Sequence, residues 1–244
     1  MKPVLLVIAH GSRDPRHAAT VHALVRRVRS LRPDVRVETG FLDFNIPSAQ
    51  GVLESLAAEG VRDVVALPLL LTRAFHAKAD IPAVLRDAPP QLRIRQAEVL
   101  GPSPLLLSAL ERRLYEAGLT PADKSSTGVV LASAGSTDPE AIAVIADIAR
   151  EWRHTGWCAV RPAFASAALP RTEDAVRELR ALGCAKVAVA PYVLAPGFLP
   201  DRIARGAAGA DVLAEVLGPA PEVARVLLRR YATASARVLL PVSA

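Results

Sequence analysis

Several classes of protein are excluded by what this chain has little of. Two cysteines, Cys158 and Cys184, cannot build a disulfide framework, and their spacing fits no metal-binding pattern; they read as buried free thiols. Aromatic residues are only 4% of the chain. Bases stack on aromatic faces, so nucleic acid finds few platforms here. No apolar run approaches the ~18 residues of a membrane-spanning helix. The stretch before the first turn, "MKPVLLVIAHG", is too short for a secretory leader, which leaves the cytoplasm as the expected location. A Gly-x-Gly-x-x-Gly turn and a P-loop are both missing, which argues against dinucleotide binding and nucleotide hydrolysis.

What is present suits a soluble globular protein. The 244 residues are 51% hydrophobic and 22% charged, enough for one large or two small domains with real cores. The net charge of +6 is mostly arginine scattered over many segments. That distribution suits an anionic partner, and a small polyanionic substrate fits it at least as well as a nucleic acid does.

The chain repeats itself. "AHGSRDP" (Ala9–Pro15) returns as "SAGSTDP" (Ser133–Pro139), 124 residues on. "FLDFNIP" (Phe41–Pro47), "GVRDVVALPLLL" (Gly60–Leu71) and "RAFHAKADI" (Arg73–Ile81) return 123 residues on as "FASAALP", "GCAKVAVAPYVL" and "PGFLPDRIA". "GPSP" at Gly101–Pro104 has its counterpart in "GPAP" at Gly218–Pro221. Chance does not keep one register over half a chain, so two homologous halves are expected, residues 1–120 and 126–240.

Each half alternates short β-branched runs with helical patterns. In the first, strands are predicted at Val4–Ala9, Val35–Phe41, Asp63–Pro68 and Arg93–Glu98. Helices are predicted at Pro15–Leu31, Ser48–Glu59, Ala77–Asp87 and Ser103–Ala117. Asp14-Pro15 and Asp138-Pro139 each offer a capping carboxylate followed by a proline suited to the first helical position. The fold class is therefore α/β: two doubly wound domains, each with a four-stranded parallel sheet flanked by helices.

Ligands of such sheets bind beyond the carboxyl ends of the strands. His10, Asp43 and His76 arrive there after the first three strands. Two imidazoles and a carboxylate suit a borderline divalent metal with open positions, and they can equally accept protons. The repeat supplies a control: the equivalent places hold Ala134, Ser166 and Leu199, while the surrounding glycines and prolines persist. What the two halves share serves the fold, and what only the first half has serves chemistry. The active site is thus expected in the first half, with the second a degenerate copy. Ser12, Arg13, Arg73 and Lys78 flank it, with Arg202 in the matching loop of the second half; these five are expected to bind the carboxylates of the substrate in a basic cleft lined with Arg and Lys, where arginine offers bidentate geometry. His17, His22 and His154 read as surface or packing residues.

The motifs "HGSRDP", "FLDFNIPS" and "LPLLLTRAFHAKADIP" resemble those of the class II tetrapyrrole chelatases, more closely the sirohydrochlorin chelatases. The resemblance spans nearly the whole chain and includes the degenerate second half of the long forms. It implies insertion of Fe²⁺ or Co²⁺ into sirohydrochlorin without nucleotide hydrolysis, with Fe²⁺ favoured since the chain has no His-rich stretch. It also implies metal handling by His10 and His76, and two halves facing each other across one cleft in a monomer. The metal would be a substrate, with no permanently bound cofactor. The family commonly has Glu where this chain has Asp43, one methylene shorter, which leaves open direct ligation or ligation through water. Two other readings stand beside it. A histidine phosphatase is opposed by Ala9, which stands where its phosphate-binding Arg would precede the histidine. A non-catalytic tetrapyrrole or metal carrier would keep the cleft.

Overall fold

The computed structural model describes residues 2–73 and 76–236, with the side chain of His76 outside that description. The first half runs β1 (Val4–Ala9), α1 (Pro15–Leu31), β2 (Val37–Phe41), α2 (Ala49–Ala58), β3 (Asp63–Pro68), a π-helical turn His76–Asp80, α3 (Ile81–Arg86), β4 (Arg93–Gln96) and α4 (Pro104–Glu116). A 3₁₀ turn, Pro121–Ser126, leads to the second: β5 (Thr127–Ser133), α5 (Pro139–Arg153), β6 (Ala159–Phe164), α6 (Thr172–Ala181), β7 (Lys186–Tyr192), α7 (Phe198–Gly206), β8 (Val212–Leu213) and α8 (Pro221–Ala236).

Two parallel four-stranded sheets result, ordered β2-β1-β3-β4 and β6-β5-β7-β8. Every residue of β1 and β5 is buried, as continuous apolar runs in doubly covered parallel sheets should be. Both capping expectations hold. The Asp14 carboxylate accepts the Arg16 N–H at 2.9 Å and the Asp138 carboxylate that of Glu140 at 3.0 Å, each ahead of a proline-led helix. The segment expected as one helix over 77–87 differs. It opens as a π-helical turn and becomes α-helical only at Ile81, because Pro82 has no N–H to continue a ladder already running and so falls in a first turn.

The halves exchange their last helices. α4 packs on β7 and on α8, while α8 covers β3, β4 and α1. The sequence reading gave each half its own helices, and adjacency in the chain does not determine which sheet a terminal helix covers. Arg113 of α4 donates to the Leu217 carbonyl at 3.1 Å, and Arg230 of α8 donates to the Leu100 carbonyl at 3.1 Å. Leu100 and Leu217 stand just before the repeated Gly-Pro, so each exchanged helix latches onto the same carbonyl of the opposite half. Arg112 grips Glu222 through two bonds of 3.2 and 3.1 Å. One apolar cluster accordingly runs through both halves, from Leu5 and Leu67 to Leu131 and Leu227.

The cysteine reading needs one correction. Cys184 is buried but Cys158 is exposed, because it lies just outside β6 where the chain enters the sheet. Their sulfurs are 3.8 Å apart, and burial pushes the Cys184 thiol up. Among the described residues no helix is long and apolar enough to cross a membrane.

Candidate active site

The turns after β1 and β2 are built around a glycine. Gly11 has φ +95°, and a Cβ on it would lie 1.9 Å from the Asp43 carbonyl oxygen, so only glycine lets the two turns close. The Asp43 N–H then donates to the His10 carbonyl at 2.9 Å. The second half repeats this backbone: Gly135 has φ +92°, its Cβ would lie 1.9 Å from the Ser166 carbonyl oxygen, and the Ser166 N–H donates to the Ala134 carbonyl at 3.0 Å. Phe44 and Ala167 both sit at φ 60°. The scaffold is thus the same twice, and the side chains that arrive on it are not.

Between the halves lies a cavity of about 470 Å³. His10 and His17 line it from the first half, while Ile142, Phe198 and Leu199 face it from the second. One wall therefore carries imidazoles and the other is largely apolar. Leu199 and Ala134, the counterparts of His76 and His10, both stand on the second wall. The half-buried His10 ring has Nδ1 3.1 Å from the Gly11 carbonyl. A carbonyl can only accept, so Nδ1–H donates to it, and whenever the ring is neutral its lone pair lies on Nε2. That nitrogen can bind a metal or take a proton.

The remaining expected site residues divide. His76 begins the π-helical turn, but its side chain lies outside the described residues. Asp43 is exposed and absent from the cavity lining; its carboxylate accepts the Phe44 N–H at 2.8 Å. Ser12 lines the cavity, yet its hydroxyl accepts the Asp14 N–H at 3.1 Å, and Ser136 does the same for Asp138 at 3.0 Å. By the repeat's own logic Ser12 orders the start of α1 and belongs to the frame. The cleft expected to be lined with Arg and Lys has neither among its described lining residues. Long cations instead stay at the rim, where water solvates them. Arg13, Arg73 and Arg202 are exposed, with the Arg13 guanidinium 5.2 Å over the Phe44 ring. Lys78 reaches across to the second half, 2.7 Å from both Asp138 and Glu140. These carboxylates push its pKa up, and the ammonium holds Asp138 below its ordinary value. Among the described residues no three His, Cys, Asp or Glu side chains gather around one point.

Two residues gain importance. His17, expected as a surface or packing residue, lines the cavity; burial first, and then the neighbouring His10, pull its pKa below the usual imidazole value. Asn45 accepts the Ser12 N–H through its side chain at 2.8 Å, tying the turn after β1 to the turn after β2. Their counterparts are Ala141 and Ala168, so the comparison of halves that picks out His10 also picks out both of them. His22 packs edge-to-face on Phe41 at 5.7 Å and His154 is exposed at the end of α5, as expected.

The CbiX family model matches residues 4–117 and again 128–234. A sirohydrochlorin cobaltochelatase of Priestia megaterium is 32% identical over 210 residues, covering 83% of this chain and 67% of the relative. A sirohydrochlorin ferrochelatase of Bacillus subtilis (strain 168) is 28% identical over 211 residues, covering 84% of this chain and 79% of the relative. Among solved structures, SirB from Bacillus subtilis with Fe³⁺ superposes with a TM-score of 0.82 at 26% identity, over 97% of this chain and 96% of that one.

Proposed function

The chain belongs to the CbiX family, and from that premise we propose that it inserts a divalent metal into sirohydrochlorin without ATP: Fe²⁺ first, giving siroheme, or Co²⁺, giving cobalt-sirohydrochlorin. The observation that carries this reading is the two-faced cleft, with imidazoles on one wall and an apolar surface on the other. A tetrapyrrole presents a flat apolar face and, at its centre, two N–H protons that must leave as the metal enters. The apolar wall of Ile142, Phe198 and Leu199 suits the macrocycle face. His10 and His76 suit the metal and the departing protons, since a neutral imidazole can hold a borderline ion and accept a proton near neutral pH. Asp43, exposed at the edge of this wall, acts on the metal through water. An open set of few ligands is what a metal on its way elsewhere needs, whereas a closed tetrahedral site would retain it.

Arg13, Arg73 and Arg202 are exposed outside the cavity lining, and in this reading they receive the carboxylate arms of sirohydrochlorin. In this reading residues 1–120 carry the site and residues 126–240 its degenerate partner. The protein works in the cytoplasm as a monomer whose halves play the part of two subunits, which the exchanged helices support. The test is anaerobic metallation of sirohydrochlorin by the purified protein, followed by absorbance, with Fe²⁺, Co²⁺ and Ni²⁺ at equal concentration and no nucleotide. Turnover above the spontaneous rate with at least one metal is expected. Tight binding of sirohydrochlorin with only spontaneous metallation would replace the chelatase with a carrier.

A further inference from the structure

Two ion pairs cross the cleft rim, and they are related by the repeat with their charges exchanged. Arg16 of the first half lies 2.7 Å from Asp201 of the second, and Lys78 of the first lies 2.7 Å from Glu140 of the second. Arg16 and Glu140 are equivalent positions, one residue into α1 and α5, and Lys78 and Asp201 are equivalent positions in the helical segments that follow β3 and β7, the π-helical turn and α7. Each pair also engages the capping aspartate of a helix: Arg16 contacts Asp14 at 2.6 Å, and Lys78 contacts Asp138 at 2.7 Å. Neighbours of the second-half partners, Ala141 and Pro200, line the cavity. Both clasps therefore sit where the two walls meet.

The two clasps are not equal in what they hold. Lys78 lies in the π-helical turn His76–Asp80. On one side that turn is fixed to the core of its own half by Ala77 and Ile81, 5% and 0% exposed. On the other, Lys78 bonds it to the second half, through two carboxylates at once. π-Helical turns recur at functional sites because they re-aim a side chain. We propose that Lys78 is a positioning residue: by docking this turn on Asp138 and Glu140 at the start of α5, it sets the place of His76 relative to the second wall of the cleft. This rests on His76 serving the reaction as proposed above. It gives the degenerate half a task of its own, anchoring the segment that carries the histidine it has itself lost.

The competing role for Lys78 is direct capture of a substrate carboxylate, and the two roles separate in variants. Asp138→Asn/Glu140→Gln keeps a capping side chain on α5 and leaves Lys78 in place without its anchors. Positioning is lost, so kcat should fall about 10–100-fold, the cost of a small misplacement at a reacting centre, with KM for sirohydrochlorin within about twofold. A lysine that binds substrate would instead be freed, giving unchanged kcat and a lower KM, which would overturn the proposal. Lys78→Glu/Asp138→Asn/Glu140→Lys rebuilds the pair with reversed charge and should recover most of the lost kcat; a glutamate cannot bind a carboxylate arm, so recovery speaks only for position. Hydrogen exchange of the amides of residues 76–80 needs no turnover and reads the tether alone. It should quicken in the double variant and slow again in the charge-reversed one. Unchanged exchange in the double variant would overturn the tether even if the wild type is an active chelatase. A wild type that metallates nothing while showing these exchange changes would overturn the reading of the site and leave the tether standing.

Discussion

The α carbon of Gly11 faces the Asp43 carbonyl oxygen so closely that a Cβ would come within 1.9 Å of it. Gly135 stands in the same relation to Ser166. Gly11→Ala and Gly135→Ala should therefore both be destabilising. A positive φ in a non-glycine costs about 1–3 kcal/mol, and the forced contact with backbone adds about 1–3 kcal/mol more. At about 2–4 °C per kcal/mol for a chain of this size, thermal melting should register each clearly. Metallation per folded molecule should fall further for Gly11→Ala, because its turn carries His10.

The exchanged helices make a demand on any isolated half. Without α8, the sheet of residues 1–120 loses the cover over one face of β3 and β4, while α4 has lost the sheet it packs on. Such a fragment should pair with a second copy, each lending α4 to the other. Light scattering is expected to give twice the fragment mass. A compact monomeric fragment would contradict the exchange. In the full chain, Arg113→Ala strands the Leu217 carbonyl and Arg230→Ala those of Leu100 and Pro102, at about 1 kcal/mol per bond, readable as a fall in melting temperature for both and the larger fall for Arg230→Ala.

His17 gives stability an acid-side slope. Burial and His10 hold its pKa below the ordinary 6.5, so between the folded and unfolded values the unfolded chain binds more protons. Stability contributed by the neutral ring is present above the unfolded value and is lost as pH falls through the window between the two. His17→Gln removes that titration. Between pH of about 7.5 and 5, its melting temperature should drop less than that of the wild type; parallel curves would contradict the burial.

Asp43 is exposed and already accepts the Phe44 N–H. Asp43→Ala should lower metallation less than loss of His10 does. Asp43→Glu should be tolerated, since a glutamate still offers the carboxylate at that edge. Circular dichroism confirms folding in each case.

Much of this was legible in the residues. Short β-branched apolar runs at Val4–Ala9 and Val64–Pro68 read as strands of a doubly covered sheet, and β1 and β3 hold them. β2 begins at Val37 and β4 stops at Gln96, because strand ends depend on the neighbour that pairs with them. The repeat separated His10 from its frame. It equally marks His17 and Asn45, but a histidine in a helix and an asparagine in a loop have common structural uses, so residue type alone does not single them out. The exchange of α4 and α8, and the capture of Lys78 by Asp138 and Glu140, could not be read at all. Both join residues 60 or more positions apart through surface geometry, which has no local signature.

The central claim is that one half carries chemistry on a scaffold both halves share, and a pair of matched substitutions tests it most directly. His10→Ala removes a side chain from the turn after β1 in the first half, and Ser166→Ala removes one from the turn after β6 in the second, where Ser166 is the counterpart of Asp43; the latter costs only the hydroxyl bond to the Ala134 carbonyl at 3.0 Å. In anaerobic metallation of sirohydrochlorin, His10→Ala should lose about 10²–10⁴-fold, the usual scale for a displaced acid–base group, while Ser166→Ala stays within about twofold of wild type. A folded His10→Ala with near wild-type turnover, or equal losses in both variants, would contradict it.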